Sequence, residues 1–117
     1  MTMHMPMATD LAAHLDRIRR SFLDRLGDRV LEIDAILQAM DRDGPRPELR
    51  EAIVHRAHKT AGVAPSLGFD ELGTLARAVE EGWGFGYGRL GDTEAARRTG
   101  AMLDEMERLL DADLDGR

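Results

Sequence analysis

Along residues 9–44, apolar side chains return every three or four positions. They are Leu11, Leu15, Ile18, Phe22, Leu26, Val30, Ile33, Leu37 and Met40. That period predicts one long amphipathic helix, with Thr9 or Asp10 as its cap and Gly44 just past its end. Gly27 interrupts the pattern and marks a candidate bend, because glycine is poor in helix interiors. "GPRPE" turns the chain, and Pro47 suits the first turn of a second helix. This helix carries "ELREAIVHRAHKTAGVA" and must stop near Ala64, ahead of Pro65. "SLGFDELGTLARAVEEG" predicts a third helix, with Phe69, Leu72, Leu75, Ala76 and Val79 on its stripe. "GDTEAARRTGAMLDEMERLLDADL" predicts a fourth, capped by Asp92 and buried through Ala95, Thr99, Met102, Leu103, Met106, Leu109 and Leu110.

No segment alternates as a strand should. In "GWGFGYG", 82–88, aromatics do alternate with glycines, but glycine at every second position weakens a strand. The stretch reads as a loop between helices three and four, with Trp83, Phe85 and Tyr87 plugging the end of the bundle. The expected fold is all-α: an antiparallel four-helix bundle with a long N-terminal helical segment. Residues 1–8 read as a flexible tail, in which His4 is inert, and 9–117 as a single domain.

Composition narrows the function. The net charge of −6, with acidic and basic residues interspersed, argues against nucleic-acid binding. Without cysteine there is no disulfide framework and no thiolate metal site, which suits a cytoplasmic protein. No apolar run approaches the roughly 18 residues of a membrane span. His14 has no second ligand in its neighbourhood and reads as a surface residue.

Chemistry concentrates in the second helix, where His55 and His58 stand three apart. At about 100° per residue, Glu51, Val54, His55, Ala61 and Gly62 share the side of His58. Leu49, Ile53 and Thr60 lie opposite, with Ala52, Ala57 and Val63 toward the flanks of that core face. His58 is therefore expected in solvent, and Arg56 is expected to snorkel out from the core side. Gly62 sits one turn above His58, where a glycine costs up to about 1 kcal/mol against alanine. With Ala61 beside it, it clears bulk from the histidine, as close approach by another molecule would need.

Two imidazoles are too few for a zinc site, and the HExxH spacing is absent. No motif supplies a serine nucleophile for a triad. An exposed, largely neutral imidazole can itself act as a nucleophile. Two inert surface histidines are the plain alternative, and the residues alone leave it open.

The run "AHKTAGVAPSLGF", 57–69, resembles the signature of histidine-containing phosphotransfer domains. The resemblance lies in Ala57-His58, Gly62 four residues on, and Gly68-Phe69 ten residues on. It implies a four-helix bundle with the motif on its second helix. It also implies that His58 accepts a phosphoryl group from a receiver-domain aspartate and passes it to another receiver. Such a protein is a relay, free-standing and bacterial, between a hybrid histidine kinase and a response regulator. It is not an enzyme and needs no cofactor, since the receiver binds the magnesium; nor does it bind a metal, a membrane or nucleic acid. A monomer is expected.

By the same resemblance Glu80, on the next helix, hydrogen-bonds and orients the imidazole. Many members carry a lysine three residues after the histidine; here that place holds Ala61. Arg77, three residues before Glu80, is the favoured replacement, and Lys59 and Arg50 flank His58 by about a quarter turn each. His55 and Val54 complete the candidate docking face, to which the Gly-aromatic loop can add partner specificity. The rival reading keeps the bundle as a non-phosphorylated adaptor that binds a kinase or receiver.

Overall fold

The computed structural model describes residues 5–116 as four helices: α1 (Met5–Asp43), α2 (Pro47–Val63), α3 (Asp70–Trp83) and α4 (Tyr87–Asp115). A 3-10 turn, Ala64–Leu67, follows α2 directly. No strand occurs among the described residues. The chain forms the expected all-α four-helix arrangement with a long first helix. Residues 1–4, including His4, lie outside the description; residues 5–8 are already helical, so neither Thr9 nor Asp10 caps α1.

Each helix runs antiparallel to the next. Along α1 and α2, Arg29 donates to Thr60 at 3.1 Å and Arg56 to Glu32 at 3.1 Å. Arg19, further back on α1, donates to the Leu67 carbonyl beyond the end of α2. α3 is the central element, packed closely on both α2 and α4, while α1 packs on α2 and α4. The buried core draws Phe22, Leu26, Ile33 and Met40 from α1, Ile53 and Ala57 from α2, Leu72, Ala76 and Val79 from α3, and Met102 and Met106 from α4. These are the positions the helical period selects, because burial of one apolar stripe is what makes an amphipathic helix stable.

α1 departs from its pattern in two places. It passes through Gly27 without a break, since the turns on either side hold the helix against the bundle. Its stripe is buried only from Phe22 onward; Leu11, Leu15 and Ile18 stay exposed. The other helices end at that level, where Arg20 meets Asp113 near the end of α4, so the earlier turns of α1 have no neighbour. α1 alone is about 58 Å long at 1.5 Å per residue, and it sets the 64 Å long dimension of the molecule.

Pro47 does occupy the first turn of α2. Gly68, at φ 90°, ends the 3-10 turn, and its left-handed backbone turns the chain into α3. α4 begins at Tyr87, five residues ahead of the expected Asp92 cap. It is interrupted at Gly91 (φ 82°, ψ 174°), a conformation closed to residues with a side chain. Asp92, the first residue after that break and so at the start of the main run of α4, accepts a hydrogen bond from the Tyr87 hydroxyl. The aromatic loop therefore shrinks to Gly84, Phe85 and Gly86. Trp83 is buried and stacks on Tyr87 with ring centres 5.7 Å apart, while Phe85 stands in solvent. Two of the three aromatics plug the bundle end and the third does not.

Candidate functional site

The site sits where α2 and α3 run side by side. The His58 Nδ1 lies 2.7 Å from Glu80 Oε2. Since a carboxylate oxygen accepts, the ring donates from Nδ1–H, which in the neutral imidazole leaves the lone pair on Nε2. His58 is 71 % exposed and Glu80 30 %, so the carboxylate backs the ring from the helix interface while the far edge faces water. Four residues along each helix, Val54 faces Gly84, whose added Cβ would lie 3.7 Å from the valine methyl. Together these two contacts establish the register of α2 on α3.

Around His58 the small-residue patch is only half as expected. Gly62 is exposed, and a Cβ built there would meet nothing within 4 Å. The fold does not need a glycine at that position. Ala61, by contrast, is 5 % exposed and belongs to the core. α2 packs against α1 on one side and α3 on the other, so its buried arc is wide and takes in Ala61. Ala61 therefore clears no space at the surface; it is part of the packed core. The rest of the core face is shifted in the same sense, with Ile53, Ala57 and Thr60 buried but Val63 exposed.

The cations separate. Arg77 is exposed and makes no hydrogen bond or ion pair among the described residues. Stepping one turn back along α3 from Glu80 and one turn on along α2 from His58 places Arg77 level with Ala61. Lys59 instead lines a groove between α1 and α2 with Phe22, Arg25, Leu26, Arg29 and Val63. Arg50 is half-buried, donates to the Pro45 carbonyl at 3.1 Å, and lies 4.3 Å over the Tyr87 ring. It braces the bundle end and is not free to meet His58. His55 is exposed; Val54 is half-buried, packed against the core rather than free in solvent. Arg56, expected to reach outward, does so: it donates to Glu32 and to the Ala52 carbonyl.

Sequence reasoning missed the clamps that hold the site's helices. Thr60, fully buried, donates to the Arg56 carbonyl and accepts from Arg29, whose pKa is lowered by burial. On the other side of α3, Arg98 donates to Glu81, Glu94 and the Ala78 carbonyl, tying α3 to α4. A threonine on a core stripe was the available signal for the first. No local signal announces the second, since Arg98 and Glu81 are 17 residues apart.

Among the described residues no group of three His, Asp or Glu side chains is placed to hold a metal ion. No described helix is long and apolar enough to cross a membrane. An exposed imidazole with one nitrogen committed and the other open, beside an uncluttered helix face, is equipped for nucleophilic attack on a group brought by a partner. Residues 17–115 match the family model described as the Hpt domain. The chain belongs to the Hpt domain family, whose fold suits a phosphorelay role and whose members interact with receiver and kinase domains. No curated protein and no solved structure matches the chain.

Proposed function

We propose that this protein relays a phosphoryl group between receiver-domain aspartates through phospho-His58, taking it from a hybrid histidine kinase to a response regulator. The observation that carries the reading is the 2.7 Å contact of Nδ1 with Glu80, made by a histidine whose other nitrogen is open. In the forward step the Nε2 lone pair attacks the phosphorus of an aspartyl phosphate. The P–N bond forms, the bond from phosphorus to the acyl oxygen breaks, and the aspartate leaves as a carboxylate. The positive charge this places on the ring is shared with Glu80 through the Nδ1 proton. Transfer to the next receiver reverses these steps.

The receiver brings the aspartate and the magnesium ion, and most of the electrostatic catalysis is theirs. This chain supplies the oriented nucleophile, the approach left open by Gly62, and a docking face that includes His55 and the solvent-facing part of the half-buried Val54. Arg77 supplies the cation that Ala61 cannot. It reaches the phosphoryl group from the facing helix at the level of Ala61, and it makes no hydrogen bond or ion pair among the described residues. The setting is cytoplasmic and the protein works as a monomer.

Incubation with a phosphorylated receiver carrying labelled phosphate tests the reading. The expected label on this chain survives alkali, is lost in acid, and disappears in His58→Gln. A chain that binds receivers with no label would instead be an adaptor, and loss of label in His55→Gln alone would move the acceptor to His55.

A further inference from the structure

The Gly84-Phe85-Gly86 turn joins α3 to α4 through backbone hydrogen bonds made by the residues on either side of Phe85. The Gly84 N–H donates to the Glu80 carbonyl at 2.9 Å, Gly86 to Glu81 at 3.0 Å, and Tyr87 to Gly84 at 3.1 Å. Neither glycine has room for a side chain. A Cβ on Gly84 would collide with the Glu80 carbonyl oxygen, and one on Gly86 would fall 2.9 Å from both the carbonyl oxygen and the Cγ of Glu81. The turn is thus tightly wound and its shape is dictated by the residues on either side of Phe85. Nothing in the fold asks for the ring between them: Phe85 is 89 % exposed, whereas Trp83 is buried and Tyr87 half-buried. A serine would satisfy the same backbone.

Single exposed apolar residues are common and by themselves mean little. Phe85 is set apart by its position. Gly84 faces Val54, four residues before His58 on α2, which is about 6 Å along the helix axis. A protein that must bring a phosphoryl group into bonding distance of His58 covers about 800 Å² of this face, a disc of about 16 Å radius. Phe85 is the next residue after Gly84, one Cα step of about 3.8 Å from the point that meets Val54, which brings its backbone within that radius of His58. An aromatic ring has few rotatable bonds, and carried on a tightly wound turn it gives contact area at little entropic cost; aromatic anchors dominate binding energy at protein interfaces.

We infer that Phe85 is a pre-positioned anchor for the receiver domain, inserting into an apolar depression on the partner beside its aspartyl-phosphate pocket, and that it sets which receivers dock productively. The inference rests on the relay reading of His58. Phe85 touches no reacting atom, so it acts on docking and not on the chemical step.

The test compares the wild-type chain with Phe85→Ala and Phe85→Ser, using two phosphoryl donors. With a phosphorylated receiver domain, the variants should show KM raised about tenfold or more and kcat changed by less than about twofold. With phosphoramidate, a small donor that needs no docking, both variants should label His58 at the wild-type rate. Unchanged thermal unfolding would show that the bundle is intact. Unchanged KM for the receiver in both variants overturns the inference while leaving the relay intact. Failure of the wild-type chain to accept phosphate from any receiver overturns the relay reading and this inference with it.

Discussion

Glu80 holds His58 from across the α2–α3 interface, with a 2.7 Å hydrogen bond between residues 22 apart in the chain. Removing the acceptor in Glu80→Ala frees the ring to rotate and to carry its proton on either nitrogen. A charge-assisted hydrogen bond is worth about 1.5–3 kcal/mol, so phosphorylation of His58 should slow by about 10- to 100-fold. Glu80→Gln keeps an acceptor oxygen without the charge and should fall between. Rapid-quench labelling of the three proteins, at saturating receiver, measures the effect.

Gly62 separates stability from access. The space at its Cα is open, and glycine in a helix interior costs up to about 1 kcal/mol against other good helix formers. Gly62→Gln should therefore raise the unfolding midpoint in denaturant. The longer side chain on the face of His58 should at the same time cut phosphoryl transfer about tenfold or more, as an obstruction to close approach does. A stabilised variant with undiminished transfer would remove Gly62 from the site.

Arg77 offers a similar contrast. It has no structural partner among the described residues, so Arg77→Ala should leave stability within about 0.5 kcal/mol. Loss of a cation beside the phosphoryl group should slow transfer in both directions by about tenfold, with Arg77→Lys partly restoring it. Unfolding curves and forward and reverse transfer rates give both readings.

Trp83 and Thr99 test the end of the bundle. The indole N–H donates to the Thr99 hydroxyl at 2.7 Å, and that hydroxyl donates in turn to the Ala95 carbonyl at 2.8 Å. Thr99→Val keeps the shape but strands the buried indole N–H, at a cost of about 1–3 kcal/mol. Urea unfolding followed by fluorescence of the single tryptophan would report it.

Glu94 supplies a pH dependence. Hydrogen bonds from Arg97 and Arg98 lower its pKa from 4.5 to about 2. A carboxyl whose folded value is depressed stabilises the protein above its unfolded value and loses that contribution as pH falls through the folded one. The stability difference between wild type and Glu94→Gln should thus be constant above about pH 5 and shrink steadily between 4.5 and about 2. Chemical denaturation across that range measures it.

The repeat of Phe22, Leu26, Ile33 and Met40 is strong enough to read α1 directly, and the spacing from His58 to Gly62 and Gly68 is equally local. What one helix meets is not local. Leu11, Leu15 and Ile18 continue the same stripe, and only the length of α4 decides that they go uncovered. Ala61 fails for a related reason. A helical wheel orders residues around an axis but does not tell how wide the buried arc is, and α2 is flanked on two sides. The aromatic loop fails because alternation with glycine carries no direction: Trp83 turns inward to Thr99 and Phe85 turns out, and the choice is made by contacts with α4.

The division of His58 and Glu80 between two helices has a consequence for the motif itself. A peptide spanning 47–67 would keep every residue of the histidine helix and lose the carboxylate that bonds its Nδ1. On the proposed relay, competence belongs to the paired helices, so a fluctuation that parts α3 from α2 would leave the histidine without its orienting partner before the bundle as a whole unfolds. The site thereby reports on its own scaffold: a chain that has not finished folding presents a histidine with nothing to orient it.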